Sequence, residues 1–298
     1  MNNQKNSIEK TSTVIDITAP EIARATKKGI NELTKRDIRK IPISDSEARF
    51  LVERYYDMQK MRVAMGNQKF SSEKLEDENE TGALAYIIDA FKENEKAIAR
   101  FLDVYTDNHP IGAWLKSIKG IGPVLAAGLL AYIDIDRVNT AGAIWKYAGW
   151  DVGYVRPKRG QKITYNPKFR TLCWKIGDCF VKTQNREGDI YGHLYKEKKE
   201  WYIAKNESGG FAEKAAYELT LKKFKEDTNA FKSYSSGKLP DAQINAMAQR
   251  FAVKIFLSHL FEVWYEYHNG KPAPKPFVEE HLGHVHIISA PNKDIVIK

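Results

Sequence analysis

Apolar residues recur at three- and four-residue spacing through most of the chain, and that period predicts helices. Ser44-Asp45-Ser46 signals a helix start, and Phe50, Leu51, Val52, Tyr55, Met58 and Met61 carry it to about Gly66. Residues 67–80 are polar and acidic and predict a loop or a solvated continuation. From Thr81 to Tyr105 a wide stripe of Leu84, Ile87, Ile88, Phe91, Ile98, Phe101 and Leu102 predicts a second helix. Together they predict an antiparallel hairpin over 44–110. Its stripe serves packing within the chain, with homodimerisation as the second use. A helical domain is expected over 111–268, with helices at 171–205 and 211–232 around Gly209-Gly210. Its last helix, Pro240 to His268, repeats Ile244, Met247, Phe251, Ile255, Phe256, Leu260 and Trp264 at helical spacing. The polar segment 1–43, with Lys35, Arg36, Arg39 and Lys40, predicts a flexible basic arm, and 269–298, ending VHIISAPNKDIVIK, a short β-like tail. The expected fold is mostly α.

The most informative stretch runs from Leu115 to Leu130: apolar residues, then Gly120-Ile121-Gly122, then Pro123-Val124-Leu125 and the small residues Ala126, Ala127 and Gly128. This is a helix-hairpin-helix pattern, and physics explains its residue types. Gly120 and Gly122 let the backbone turn tightly and approach a phosphate with no Cβ in the way. The N–H groups that open the second helix face the anion, helped by the helix dipole. Pro123 suits the first helical turn, where its missing N–H costs nothing. The small residues let the two helices cross closely, and Lys116 and Lys119 are placed to reach the same strand. Contacts of this kind position a protein on the backbone and carry little sequence information. The competing reading, an ordinary turn with a Gly cap, explains Gly-x-Gly alone but not Pro123 and the small residues together.

Charge supports an anionic partner without proving one. The 298 residues hold 47 Lys and Arg against 38 Asp and Glu, a formal charge of +9, and 43% are hydrophobic, enough for one or two full cores. Between Val152 and Gly177 stand seven basic residues, Arg156, Lys158, Arg159, Lys162, Lys168, Arg170 and Lys175, and no acidic one. Tyr154, Tyr165 and Phe169 are interleaved, so this stretch extends the expected footprint by neutralising phosphates and stacking on unpaired bases. Cys173 and Cys179, six apart on one predicted helix, offer neither a disulfide framework nor a four-cysteine zinc site. No apolar run approaches the roughly 18 to 20 residues that span a bilayer, and the first residues lack a signal peptide's apolar core. The cytoplasm is the expected location, with no membrane contact.

These residues resemble the C-terminal domain of the Piv-type DEDD transposases, the bridge-RNA-guided insertion-sequence recombinases. The resemblance rests on Ile118 to Ala127, Ile133-Asp-Ile-Asp-Arg137, Ala143 to Gly149, Asn166-Pro-Lys-Phe-Arg170 with Leu172, the helix through Tyr191, Tyr195 and Lys198, and the final helix from Ala246 to Trp264. It covers about residues 80–268 and implies binding to nucleic acid. Two departures bear on activity. The family's first domain is a RuvC-like fold that holds Mg²⁺ with four carboxylates, whereas residues 1–43 are polar and Asp16 is their one strand-like acidic position. The family's nucleophilic serine belongs in the stretch Trp150 to Arg170, which has no serine; Thr164 is its single hydroxyl besides tyrosines, with no base signalled beside it.

Weaker signals are set aside. His284 and His286 alternate onto one strand face near His281, but no cysteine or clear fourth ligand completes a zinc site, so surface histidines are the better reading. Asp134 and Asp136 are expected to end a helix and face solvent. The Gly-Ile-Gly run lacks the third glycine and preceding strand of a nucleotide loop. The sequence therefore predicts a non-catalytic DNA-binding protein of a mobile element or phage, without cofactor, acting on duplex or branched DNA, with RNA as a further ligand class. The alternatives are an element-encoded protein that inhibits a host defence complex, and a recombinase-like enzyme acting on branched DNA.

Overall fold

The computed structural model describes residues 32–73, 81–151, 160–221, 223–274 and 288–296. The chain is mostly helical, as its periodicity predicts, with no strand among the described residues. A short helix α1 (Lys35–Ile38) leads into α2 (Asp45–Glu73) and α3 (Thr81–Asp107). Next come α4 (Gly112–Ser117), α5 (Pro123–Tyr132), α6 (Ala141–Tyr147) and α7 (Pro167–Thr183). The remaining helices are α8 (Ile190–Glu207), α9 (Ala212–Leu221), α10 (Asn229–Ser235) and α11 (Asp241–Asn269).

Local chemistry explains where these helices start. Ser44 and Glu47 form a reciprocal cap before α2: the Ser44 N–H and hydroxyl donate to Glu47 Oε2 at 2.9 and 2.7 Å, and the Glu47 N–H returns to Ser44 Oγ. The carboxyl of Glu47 is held below its ordinary range by these bonds. Asn166 accepts from the N–H groups of Lys168 and Phe169, with Pro167 in the first turn of α7. Helix α2 passes through Gly66 to Glu73, one to two turns beyond the expected end. A mid-helix glycine costs only about 1 kcal/mol, which the continuing turns absorb. The helix expected at 171–205 is two helices, because Gly188 adopts φ 73° and Asp189 caps α8 through the Gly192 N–H.

One core joins the hairpin to the rest. Ala48 and Val52 of α2 and Leu102 of α3 share it with α4, α5, Phe169, Ile176 and Phe180 of α7, Tyr191 and Tyr195 of α8, and Phe256 and Leu260 of α11. Residues 44–110 are therefore not a separate body. Helix α5 is its centre: all residues from Val124 to Tyr132 are buried, and it packs against α2, α3 and α7. A helix apolar on every side must be enclosed on every side. Arg49 donates to the Ala131 carbonyl at 2.7 Å and the Tyr132 hydroxyl to Glu53 at 2.9 Å, fastening the α5 C-terminus to α2. Arg62 clamps the hairpin through two bonds to buried Glu95. A second, smaller core of Ala215, Tyr234, Leu239 and Ile244 joins α9, α10 and the start of α11.

Two expectations for the termini are corrected. The basic cluster at 35–40 is not free where it is described. Thr34 and Asp37 cap α1, Leu33 and Ile38 bury against Val104, and Lys35 pairs with Asp103. The described end of the tail, 288–296, is not extended. Asn292 adopts φ 55°, a turn conformation that Asn tolerates, and residues 293–295 form a 3₁₀ turn. The segment then folds onto α4 and α11. Trp114 Nε1 donates to the Pro291 carbonyl at 2.7 Å, Asn292 to Ser117 Oγ at 3.0 Å, His259 Nε2 bonds the Ile288 carbonyl at 2.7 Å, and Lys293 pairs with Glu262.

Candidate nucleic-acid interface

The Gly-Ile-Gly segment forms a tight turn between α4 and α5. Gly120 takes φ 88°, a left-handed conformation that disfavours any side chain, while Ile121 buries its side chain and donates its N–H to the Ile118 carbonyl at 3.0 Å. Gly122 caps α5 in an extended conformation with no side-chain acceptor, and Pro123 contributes no N–H. The first amides of a helix have no acceptor inside it. Here the amides of Val124 and Leu125 lie at the one end of α5 that reaches the surface, since Gly122 is exposed and everything from Val124 onward is buried. A Cβ on Gly122 would meet nothing within 4 Å, so the space beside this N-cap is open. The side chains of Ile121 and Val124 are both buried.

The small residues work differently from the sequence expectation. A Cβ on Gly128 would come within 2.8 Å of Leu172 Cδ2, so the close approach at that position is between α5 and α7, not between the two helices of the turn. The turn itself rests on the far end of α7, where a Cβ on Gly120 would lie 3.4 Å from Cys179 Cβ.

Of the two lysines expected beside the turn, Lys119 is exposed, but Lys116 points the other way. Its ammonium donates to Asp103 at 2.5 Å and Asp107 at 2.6 Å on α3. Those carboxylates hold the ammonium above its ordinary pKa against the opposing effect of burial. Lys116 thus fastens α4 to α3 through this double ion pair. Lys182, on the last turn of α7 near the glycine turn, is largely exposed and pairs with Asp178 at 2.6 Å.

The basic stretch divides. Arg156, Lys158 and Arg159, with Tyr154, lie outside the described residues, as do His281, His284 and His286. Lys162 is exposed and, with Tyr147, Thr164, Tyr165, Asn166 and Lys168, lines an open cleft of about 780 Å³. Lys168 pairs with Glu53, whose carboxyl is held below its ordinary range by Lys168 and Tyr132 despite partial burial. Arg170 stacks 4.8 Å from the Tyr165 ring and donates to the Gly149 carbonyl at 3.2 Å, joining α6 to α7. Phe169 is fully buried and unavailable for stacking on a base, and Lys175 sits 3.8 Å above the Tyr56 ring. Asp134 caps the 3₁₀ turn Ile135–Arg137 and Asp136 pairs with His268 at 2.7 Å, both exposed. Among the described residues no three His, Cys, Asp or Glu side chains converge as a metal site.

Sequence reasoning passed over a second set of cations on α8, α9 and α11. Lys254 lies 4.1 Å from the Trp145 ring, Lys198 lies 3.9 Å from Trp201 and 4.9 Å from Phe251, and Lys214 reaches Met247 Sδ at 3.5 Å. Burial and neighbouring cations hold Lys198, Lys214, Arg250 and Lys254 below their ordinary pKa values. The signal was the spacing of Met247, Arg250, Phe251 and Lys254 on one face of α11, hidden by reading that helix for its apolar positions alone.

A family model described as the Transposase IS116/IS110/IS902 family matches residues 112–155, a segment that begins with α4, includes the glycine turn, α5 and α6, and ends eight residues after α6. The chain is transposase-like over that stretch. No curated protein and no solved structure matches it.

Proposed function

We propose that this is a DNA-binding protein of a mobile element that grips the phosphate backbone through a helix-hairpin-helix, α4 to α5, without cutting or joining strands. The observation that carries this reading is the uncapped N-terminus of α5, which emerges from the core behind a left-handed Gly120 and an open Gly122. Backbone N–H groups at a helix N-terminus are a ready anion site. The transposase-like match falls on the same residues. Lys119 and Lys162 supply side-chain charge, with Lys116 removed from the set and Lys168 and Arg170 shared with structural duties. Sequence-tolerant binding follows, because these groups meet phosphates and not base edges.

The non-catalytic part of the reading is supported by the serine-free stretch 150–170 and by the lack of any base beside Thr164. The test is titration of labelled duplex and four-way-junction DNA, followed by incubation with Mg²⁺. Saturable, salt-sensitive binding without strand cleavage is expected. Cleavage or strand joining by the purified protein would replace the non-catalytic reading with a recombinase.

A further inference from the structure

The cations around Arg250 differ from the other fastened lysines. Lys35, Lys116, Lys168, Lys238 and Lys293 each pair with a carboxylate. Lys198, Lys214, Arg250 and Lys254 form no ion pair among the described residues. Three of them are held in place by apolar or aromatic groups instead: Lys254 by Trp145, Lys198 by Trp201 and Phe251, and Lys214 by the Met247 sulfur. A ring face fixes an ammonium without neutralising it. The result is a set of positioned cations with no carboxylate in ion-pair contact among the described residues, Asp151 and Glu218 being the acidic groups near enough to Lys254 and Lys214 to act on them. Arg250 and Lys254 are one turn apart on α11, about 6 Å along its axis, the scale on which successive phosphates follow one another in a strand.

We propose that this face of α11, Arg250 and Lys254 flanked by Lys198 and Lys214, is a second phosphate-binding strip for the same nucleic acid. The proposal rests on the nucleic-acid reading above and adds a separate site to it. Both sites pack on α7: the glycine turn rests on Cys179 and Thr183, Gln249 and Val253 of α11 pack against Gly177, and Arg170, at the α7 start, is close enough to repel Arg250.

The test compares the wild-type chain, Arg250→Gln/Lys254→Gln and Gly122→Val for binding to duplex DNA across a salt series. Losing two phosphate contacts lowers the slope of log affinity against log salt by about 1.8 for a duplex, a loss on the order of tenfold to a hundredfold at 0.1 M salt. The α11 pair is expected to show that loss with unchanged melting. Arg250→Lys, which keeps the charge, is expected to keep the wild-type slope. Should the α11 pair melt early, Lys198→Gln/Lys214→Gln on α8 and α9 is expected to lower the slope in the same way. An unchanged slope in both folded pairs, alongside weaker binding by Gly122→Val, overturns the strip and leaves the turn. No binding by the wild type overturns both.

Discussion

Gly120 and Gly122 sit two residues apart and do different jobs, and single substitutions separate them. Gly120 needs its left-handed φ, so Gly120→Ala is expected to lower stability by about 1–2 kcal/mol, read from denaturant midpoints. Gly122 has an ordinary extended φ and open space beside it, so Gly122→Val is expected to fold as the wild type does. Its branched side chain blocks the amides of Val124 and Leu125. Losing hydrogen bonds to a charged acceptor, worth about 1.5–3 kcal/mol, weakens binding by roughly tenfold to a hundredfold. The lysines separate too. Lys119→Ala is expected to reduce the salt slope by about 0.9. Lys116→Ala is expected to leave that slope alone and cost about 1 kcal/mol of stability, since its ammonium pairs with Asp103 and Asp107. Sequence spacing placed both lysines beside the turn but carries no information about which acidic residues of α3 come within reach.

Among the elements, α5 was the most legible, because a run from Val124 to Tyr132 without a polar face has only the interior to occupy. Its neighbours were not. The small residue Gly128 signals close contact, yet only the fold reveals that Leu172 of α7 is what it meets. Gly128→Val therefore overpacks the α5–α7 contact and is expected to cost about 1–3 kcal/mol, by thermal or urea unfolding. The α7–α8 break was hidden for a similar reason, since apolar periodicity runs across it while Gly188 and the capping Asp189 do the breaking. The tail's alternating pattern misled because Pro291 and Asn292 turn the chain back before any partner strand is met. The cations of α11 were legible as residues but not as a surface. Their meaning depends on Trp145 and on Lys198 and Lys214, from helices distant in sequence.

At the scale of the whole molecule, one half-buried histidine, His109, and one buried one, His259, link folding to pH. Burial pushes His109 down to about 4, and it also holds His259, bonded between the Tyr191 hydroxyl and the Ile288 carbonyl, below its ordinary value. Above the unfolded value near 6.5 both states are neutral and nothing is lost. As pH falls below 6.5 the unfolded chain takes up protons that the native fold refuses, so stability falls, by up to about 1.4 kcal/mol per pH unit per group. Urea midpoints are expected to drop between pH 7 and 5, and His259→Gln, a neutral stand-in for hydrogen bonding, is expected to flatten that drop. Paired carboxylates such as Glu53 and Asp103, held below their ordinary range, contribute a separate loss that begins as pH falls through about 5 and continues below it. The same molecule-wide view governs function: the α5 N-terminus is held at the surface by a core that every helix from α2 to α8 and α11 helps to build. The most direct measurement is fluorescence-anisotropy titration of duplex DNA by the wild-type chain and by Gly122→Val across a salt series. Steeply salt-dependent binding by the wild type, weakened at least tenfold in an equally stable Gly122→Val, is the predicted result. Absence of wild-type binding, or equal affinity in the folded variant, contradicts the account.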